Sequence, residues 1–107
     1  MAQEQLILAY VTTATRDEAL KLATVLVEER LAACANVFEG MTAVSWWQGR
    51  VQQAGEASLL LKTRADLLAA LTARVRELHS YTVPCVVAWP IADGNPDFLD
   101  WIRGETS

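Results

Sequence analysis

The chain has 107 residues, 52% hydrophobic and 21% charged, enough for one domain over residues 1–107 with its own core and too apolar for a disordered chain. Thirteen acidic against nine basic residues give a net charge of −4, and no run of Lys or Arg forms a stripe, so nucleic acid is not an expected partner. No stretch approaches a signal peptide or membrane span, and Cys34 and Cys85 form neither a CxxC pair nor a metal-finger spacing, so a reducing cytoplasm, without membrane or disulfide, is expected.

"QLILAYVT" (5–12) is a continuous apolar run of strand composition. Thr15-Arg16-Asp17-Glu18 then has the form of a capping box, opening a helix predicted to run to about Leu31. Ala19, Leu22, Ala23, Leu26 and Val27 make its apolar stripe. "LAACANV" leads on, where Cys34 reads as a small buried hydrophobe. A long strand over 35–47 follows, interrupted at Gly40 by a bulge, and Gln48-Gly49 forms the turn.

The return strand runs from Arg50 through "ASLLLKT", and Thr63 with Asp66 reads as a second cap-like start. Leu67, Leu68, Leu71, Val75 and Leu78 keep a helical period until "HSYTVP" breaks it. "CVVAWPI" (85–91) is a fourth strand. Asn95-Pro96 opens a last short helix, with Gly104 as its stop.

This order is β-α-β-β-α-β plus a terminal helix, an α+β class in which right-handed crossovers place both helices on one face of an antiparallel sheet. "LILAYV", "SLLLK" and "CVVAW" do not alternate apolar with polar, so both sheet faces are expected to be buried. One helix layer covers one face, and copies of the same chain would cover the other. Trp46 and Trp47 are neighbours on a strand and point to opposite faces, so they cannot share one core. Either one of them belongs at an interface with a neighbouring copy, or it lies partly exposed at the hairpin tip.

There is no glycine-rich phosphate loop and no nucleophile elbow, and His79 is the single histidine, so no catalytic constellation stands out. The soft or imidazole metal ligands are Cys34, Cys85, His79, Met1 and Met41, a thin supply for a site needing three or four. His79 ends the second helix, where the helix dipole also favours a structural histidine. Lys62, Arg64 and Tyr81 are expected to approach a common end of the subunit, either as solvated charge or as a cleft for a small anionic ligand.

"ERLAACANV", "SWWQGRVQ", "LLLKT", "LHSYTVP", "WPIADGN" and "FLDWI" resemble, in order and over nearly the whole chain, the signature segments of the CutA family of divalent-cation tolerance proteins. The resemblance implies a homotrimer of ferredoxin-like subunits, PII-like in assembly, with a role in metal tolerance, copper binding and no enzymatic activity. Where the family usually reads His-Pro-Tyr-Glu-Val-Pro-Glu, this chain has His79-Ser80-Tyr81-Thr82-Val83-Pro84-Cys85, so two carboxylates are absent. In members associated with copper, a Cys near the end of the first strand and a His pair ending the second helix are implicated; the matching positions are Val11, Leu78 and His79. Only His79 carries over, with Cys85 as a softer substitute ligand or an apolar filler, and any copper binding is expected to be weak. The alternatives are a PII-like sensor of an anionic metabolite between subunits and a trimeric scaffold for other proteins.

Overall fold

In the computed structural model, which describes residues 4–107, the elements are β1 (Leu6–Thr13), α1 (Arg16–Glu28), β2 (Cys34–Trp47), β3 (Arg50–Arg64), a 3-10 turn (Ala65–Leu67), α2 (Leu68–Leu78), β4 (Val86–Pro90) and α3 (Pro96–Glu105). The sheet order is β2-β3-β1-β4, antiparallel throughout.

Register divides the apolar residues between the two faces. Ile7, Ala9, Val11 and Thr13 lie opposite Thr63, Leu61, Leu59 and Ala57, and all are buried. Onto this face α1 packs Ala19, Leu22 and Leu26, and α2 packs Leu71 and Val75. The two threonines are satisfied locally: Thr13 Oγ1 donates to the Thr15 carbonyl and Thr63 Oγ1 to that of Leu31, each at 2.7 Å. On the other face α3 covers only one end, where Ile102 closes over Leu6 and Ala33. Further along that face Phe38, Val87 and Trp89 are exposed.

Pairing with β1 ends at Thr13 and Ala57, yet β2 and β3 continue as a two-stranded arm from Met41 opposite Glu56 to Trp47 opposite Arg50. The arm makes the molecule long, 49 × 25 × 23 Å. The expected bulge falls between Phe38 and Met41, with Gly40 at φ 78°. The tip has Gln48 at φ 52° and Gly49 at φ 77°, the two positive values that a twist-matched two-residue hairpin requires.

Three expected boundaries are corrected. Helix α1 stops at Glu28 rather than near Leu31, because Arg30 turns left-handed at φ 61°. The Arg30 and Leu31 N–H groups then bond the Val27 and Leu26 carbonyls, a Schellman ending without its usual glycine. Thr63 is a buried strand residue and caps nothing. Gly104 lies inside α3, which ends where Thr106 Oγ1 donates back to the Ile102 carbonyl at 2.8 Å. Val27 and Leu78 keep the helical period but lie exposed.

The caps at Thr15 and Asn95 form as expected, with Thr15 Oγ1 accepting from the Glu18 N–H at 3.1 Å. Thr15→Ala is expected to lower stability by about 1 kcal/mol, and Leu61→Ala, at the centre of the buried face, by about 2–5 kcal/mol. Urea unfolding of both variants checks the order: equal losses would show that the helix-covered face is not the dominant core.

Candidate functional site

A hydrogen-bonded polar cluster lies where the end of β1, the root of the arm and the loop from α2 to β4 converge. His79 caps α2 and its side chain is fully enclosed. Its Nε2 donates to the Thr12 carbonyl at 2.7 Å, and its Nδ1 accepts the Tyr81 N–H at 2.9 Å. A carbonyl can only accept and an N–H only donate, so the pair of bonds assigns the Nε2–H tautomer. Both ring nitrogens are engaged.

Glu18, in the first turn of α1, reaches across to the same loop. Its carboxylate accepts from Ser80 N–H at 2.8 Å, Ser80 Oγ at 3.0 Å and Ala14 N–H at 3.2 Å, and lies 3.8 Å from His79 Nδ1. Burial alone would raise the Glu18 carboxyl, but the hydrogen bonds from Ser80 and Ala14 outweigh it and hold the group below its ordinary range. The carboxylate thus pins the start of α1 to the loop after α2.

Tyr81 stands beside His79, ring centroids 4.7 Å apart, and its hydroxyl donates to Glu56 at the root of the arm at 2.7 Å. Burial, and then the bond to Glu56, push the phenol up to about 12. Burial likewise raises the Cys85 thiol, the Glu56 charge adds to the effect, and a hydrogen bond with Thr12 offsets it in part. Met41, directly across the arm from Glu56, accepts from the Tyr10 hydroxyl at 3.4 Å.

As built, these residues do not fit a divalent cation. Among the described residues no three His, Cys, Asp or Glu side chains are grouped so as to hold one, and Met1 lies outside the described residues. His79 has no free nitrogen, and Cys85 is held toward the neutral thiol, whereas a metal needs an open imidazole lone pair or a thiolate. The expected His79 and Cys85 pair is therefore not a preformed metal site within one chain.

The expected meeting of Lys62, Arg64 and Tyr81 at one end is also corrected. Tyr81 touches Glu56, whereas Lys62 lies six positions further along β3, about 20 Å at the strand rise. Lys62 donates to Asn36 Oδ1 at 2.6 Å and lies 5.9 Å from the Phe98 ring centre, and Arg64 pairs with Asp66 at 3.0 Å. One chain cannot place all three around one ligand. Trp46 and Trp47 occupy the arm tip, 74% and 45% exposed, so neither enters the core of the chain.

Sequence reasoning passed over Glu56, Ser80 and the second role of Glu18. Glu18 was visible only as a capping residue, and the link through Ser80 joins positions 62 apart. Glu56 carried a weak signal: it is the one acidic residue of the long strand β3.

The family model for the CutA1 divalent ion tolerance protein matches residues 7–105. A curated relative, the divalent-cation tolerance protein CutA of Thermus thermophilus, is 47% identical over 90% of this chain and 93% of its own length. The chloroplastic protein CutA 1 of rice is 43% identical over 94% of this chain, which spans only 56% of the rice protein. Among solved structures, CutA1 from Oryza sativa superposes with a TM-score of 0.94 at 41% identity, covering 97% of this chain and 95% of that one. The Thermus thermophilus Cut A1 structure gives 0.90 at 45% identity, covering 98% and 100%. On sequence and on fold together, this chain belongs to the CutA1 divalent ion tolerance family.

Proposed function

We propose that the chain is the ferredoxin-like subunit of a homotrimer that serves divalent-cation tolerance by a binding or signalling role rather than by catalysis. The observation that carries this reading is the surface a single subunit leaves uncovered. A two-stranded ribbon is marginal in water on its own, yet the arm holds Val44, Trp46, Trp47 and Val51 exposed, and the sheet face behind it exposes Phe38, Val87 and Trp89. Soluble monomers rarely keep so much contiguous apolar surface. The strand order β2-β3-β1-β4 supports the ferredoxin-like description, and the relatives' printed names support the link to divalent cations. Two free cysteines suit a reducing cytoplasm, and no helix among the described residues is long and apolar enough to cross a membrane.

In this reading metal acts on the assembly without a tight site inside one subunit. Copper binding through His79 and Cys85 is weak, because a ring hydrogen bond and a thiol proton must both be given up first.

Light scattering at micromolar concentration is expected to give the mass of three chains; a stable folded monomer would overturn the assembly. Trp46→Ser and Trp47→Ser should each weaken association far more than Gln53→Ser, by about 2 kcal/mol or more, measured by dissociation on dilution. Calorimetry on the reduced protein should show copper binding weakly, yet better than zinc or cobalt, with most of the heat lost in Cys85→Ser and His79→Ala. Tight binding that survives both changes would place the metal elsewhere.

A further inference from the structure

The connection from β4 to α3 carries a reactive pair that the binding role leaves unused. Asp93-Gly94 is the one Asp-Gly step in the chain, which has no Asn-Gly step. It lies in the irregular stretch 91–95, with both residues exposed. That stretch is tied at its two ends. Ile91 N–H donates to the Leu6 carbonyl at 2.9 Å, and Asn95 caps α3, its Oδ1 accepting from the Asp97 N–H at 3.1 Å and its carbonyl from the Leu99 N–H at 3.0 Å. Between these anchors the Gly94 N–H takes no main-chain carbonyl among the described residues. It donates instead to the side chain of the residue before it, Asp93 Oδ1, at 2.8 Å.

This contact sets a nucleophile beside its electrophile, because a main-chain nitrogen held on the preceding carboxyl group is one bond from closing a five-membered ring with it. Glycine leaves the approach open. It has no side chain to screen the nitrogen, and a Cβ added there would already stand 3.4 Å from Leu99 Cδ2. The other aspartates, Asp17, Asp66, Asp97 and Asp100, sit in helical turns and are followed by Glu18, Leu67, Phe98 and Trp101, whose side chains and helical backbone disfavour the same approach.

We propose that Asp93 is a site of spontaneous isomerisation, converting to isoaspartate through a cyclic imide formed with the Gly94 nitrogen. In the first step that nitrogen attacks Asp93 Cγ; the N–Cγ bond forms, and the amide proton leaves with the carboxyl hydroxyl as water. In the second, water adds to one of the two imide carbonyls. Opening at Cγ restores aspartate. Opening at the Asp93 main-chain carbonyl breaks its bond to nitrogen, so the chain runs on through Cβ and Cγ and the carboxylate stands on Cα. Water is the only co-reactant, and the mass of the product is unchanged. The main chain is then longer by one carbon between two fixed anchors. The displacement falls on the Asn95 cap, and through α3 on Leu99 and Ile102, which close over Leu6 and Ala33.

The test incubates the folded full chain in warm neutral buffer and digests it with endoproteinase Asp-N, which cuts before aspartate but not before isoaspartate. The expected result is a growing peptide of residues 66–96, uncut at position 93 and unchanged in mass, that accepts a methyl group from S-adenosylmethionine through isoaspartyl methyltransferase. Asp93→Glu, whose longer side chain disfavours the five-membered ring, should lose the methyl acceptance, and Gly94→Ala should slow it. No methyl-accepting peptide from the folded protein, or one that forms only in urea, overturns the site. Amide hydrogen exchange reads the consequence: the converted chain should exchange its α3 amides faster than Asp93→Glu after the same incubation. Equal protection would overturn the coupling to α3.

Discussion

The register between β1 and β3 decides most of what this molecule is. By setting Ala9 against Leu61 and Val11 against Leu59, it sends one alternate set of side chains under α1 and α2 and the other set to a face that α3 covers only at one end. A slip of one residue would exchange the two sets. Because the second set still carries Leu6, Leu8, Tyr10 and Leu60 among its polar members, the same pairing that builds the core also leaves apolar residues on the second face, and past the bulge at Gly40 β2 and β3 run on as an arm.

The second fixed point is the enclosed imidazole of His79. It ties the end of α2 to β1 through the Thr12 carbonyl and orders the following loop through the Tyr81 N–H, while Glu18 reaches the same loop through Ser80. Tyr81 then carries the connection to Glu56 at the root of the arm. One run of hydrogen bonds thereby joins the helix layer, the sheet and the arm. Residues that resemble metal ligands on composition are, in this chain, structural members of that run. Their lone pairs and protons are committed to holding the sheet end together.

Much of the fold was legible in the sequence because its signals are local. The strand compositions, the Thr15 and Asn95 caps, the Gly40 bulge and the Gln48-Gly49 turn each depend on a few adjacent residues, and each appears where expected. The misread boundaries lacked such a signal. Nothing in Glu29-Arg30-Leu31 announces a left-handed arginine, and Thr63 looks like a cap until β3 is seen to continue through it. The family likeness read from segments such as "SWWQGRVQ" and "FLDWI" is borne out by the family match and by relatives more than 40% identical.

The sequence alone determined the element order, the α+β class, the family and the presence of more apolar surface than one helix layer can cover, because each follows from periodicity, composition or ordered motifs along the chain. Only the tertiary structure decided which polar groups meet. It drew Glu18, Ser80, His79, Tyr81 and Glu56 into one network across as many as 62 positions, and it set Lys62 and Arg64 at the other end of the sheet from Tyr81. The physical reason is that an antiparallel strand places residues by register and rise. Six positions along β3 therefore separate groups that a reading by residue type had brought together.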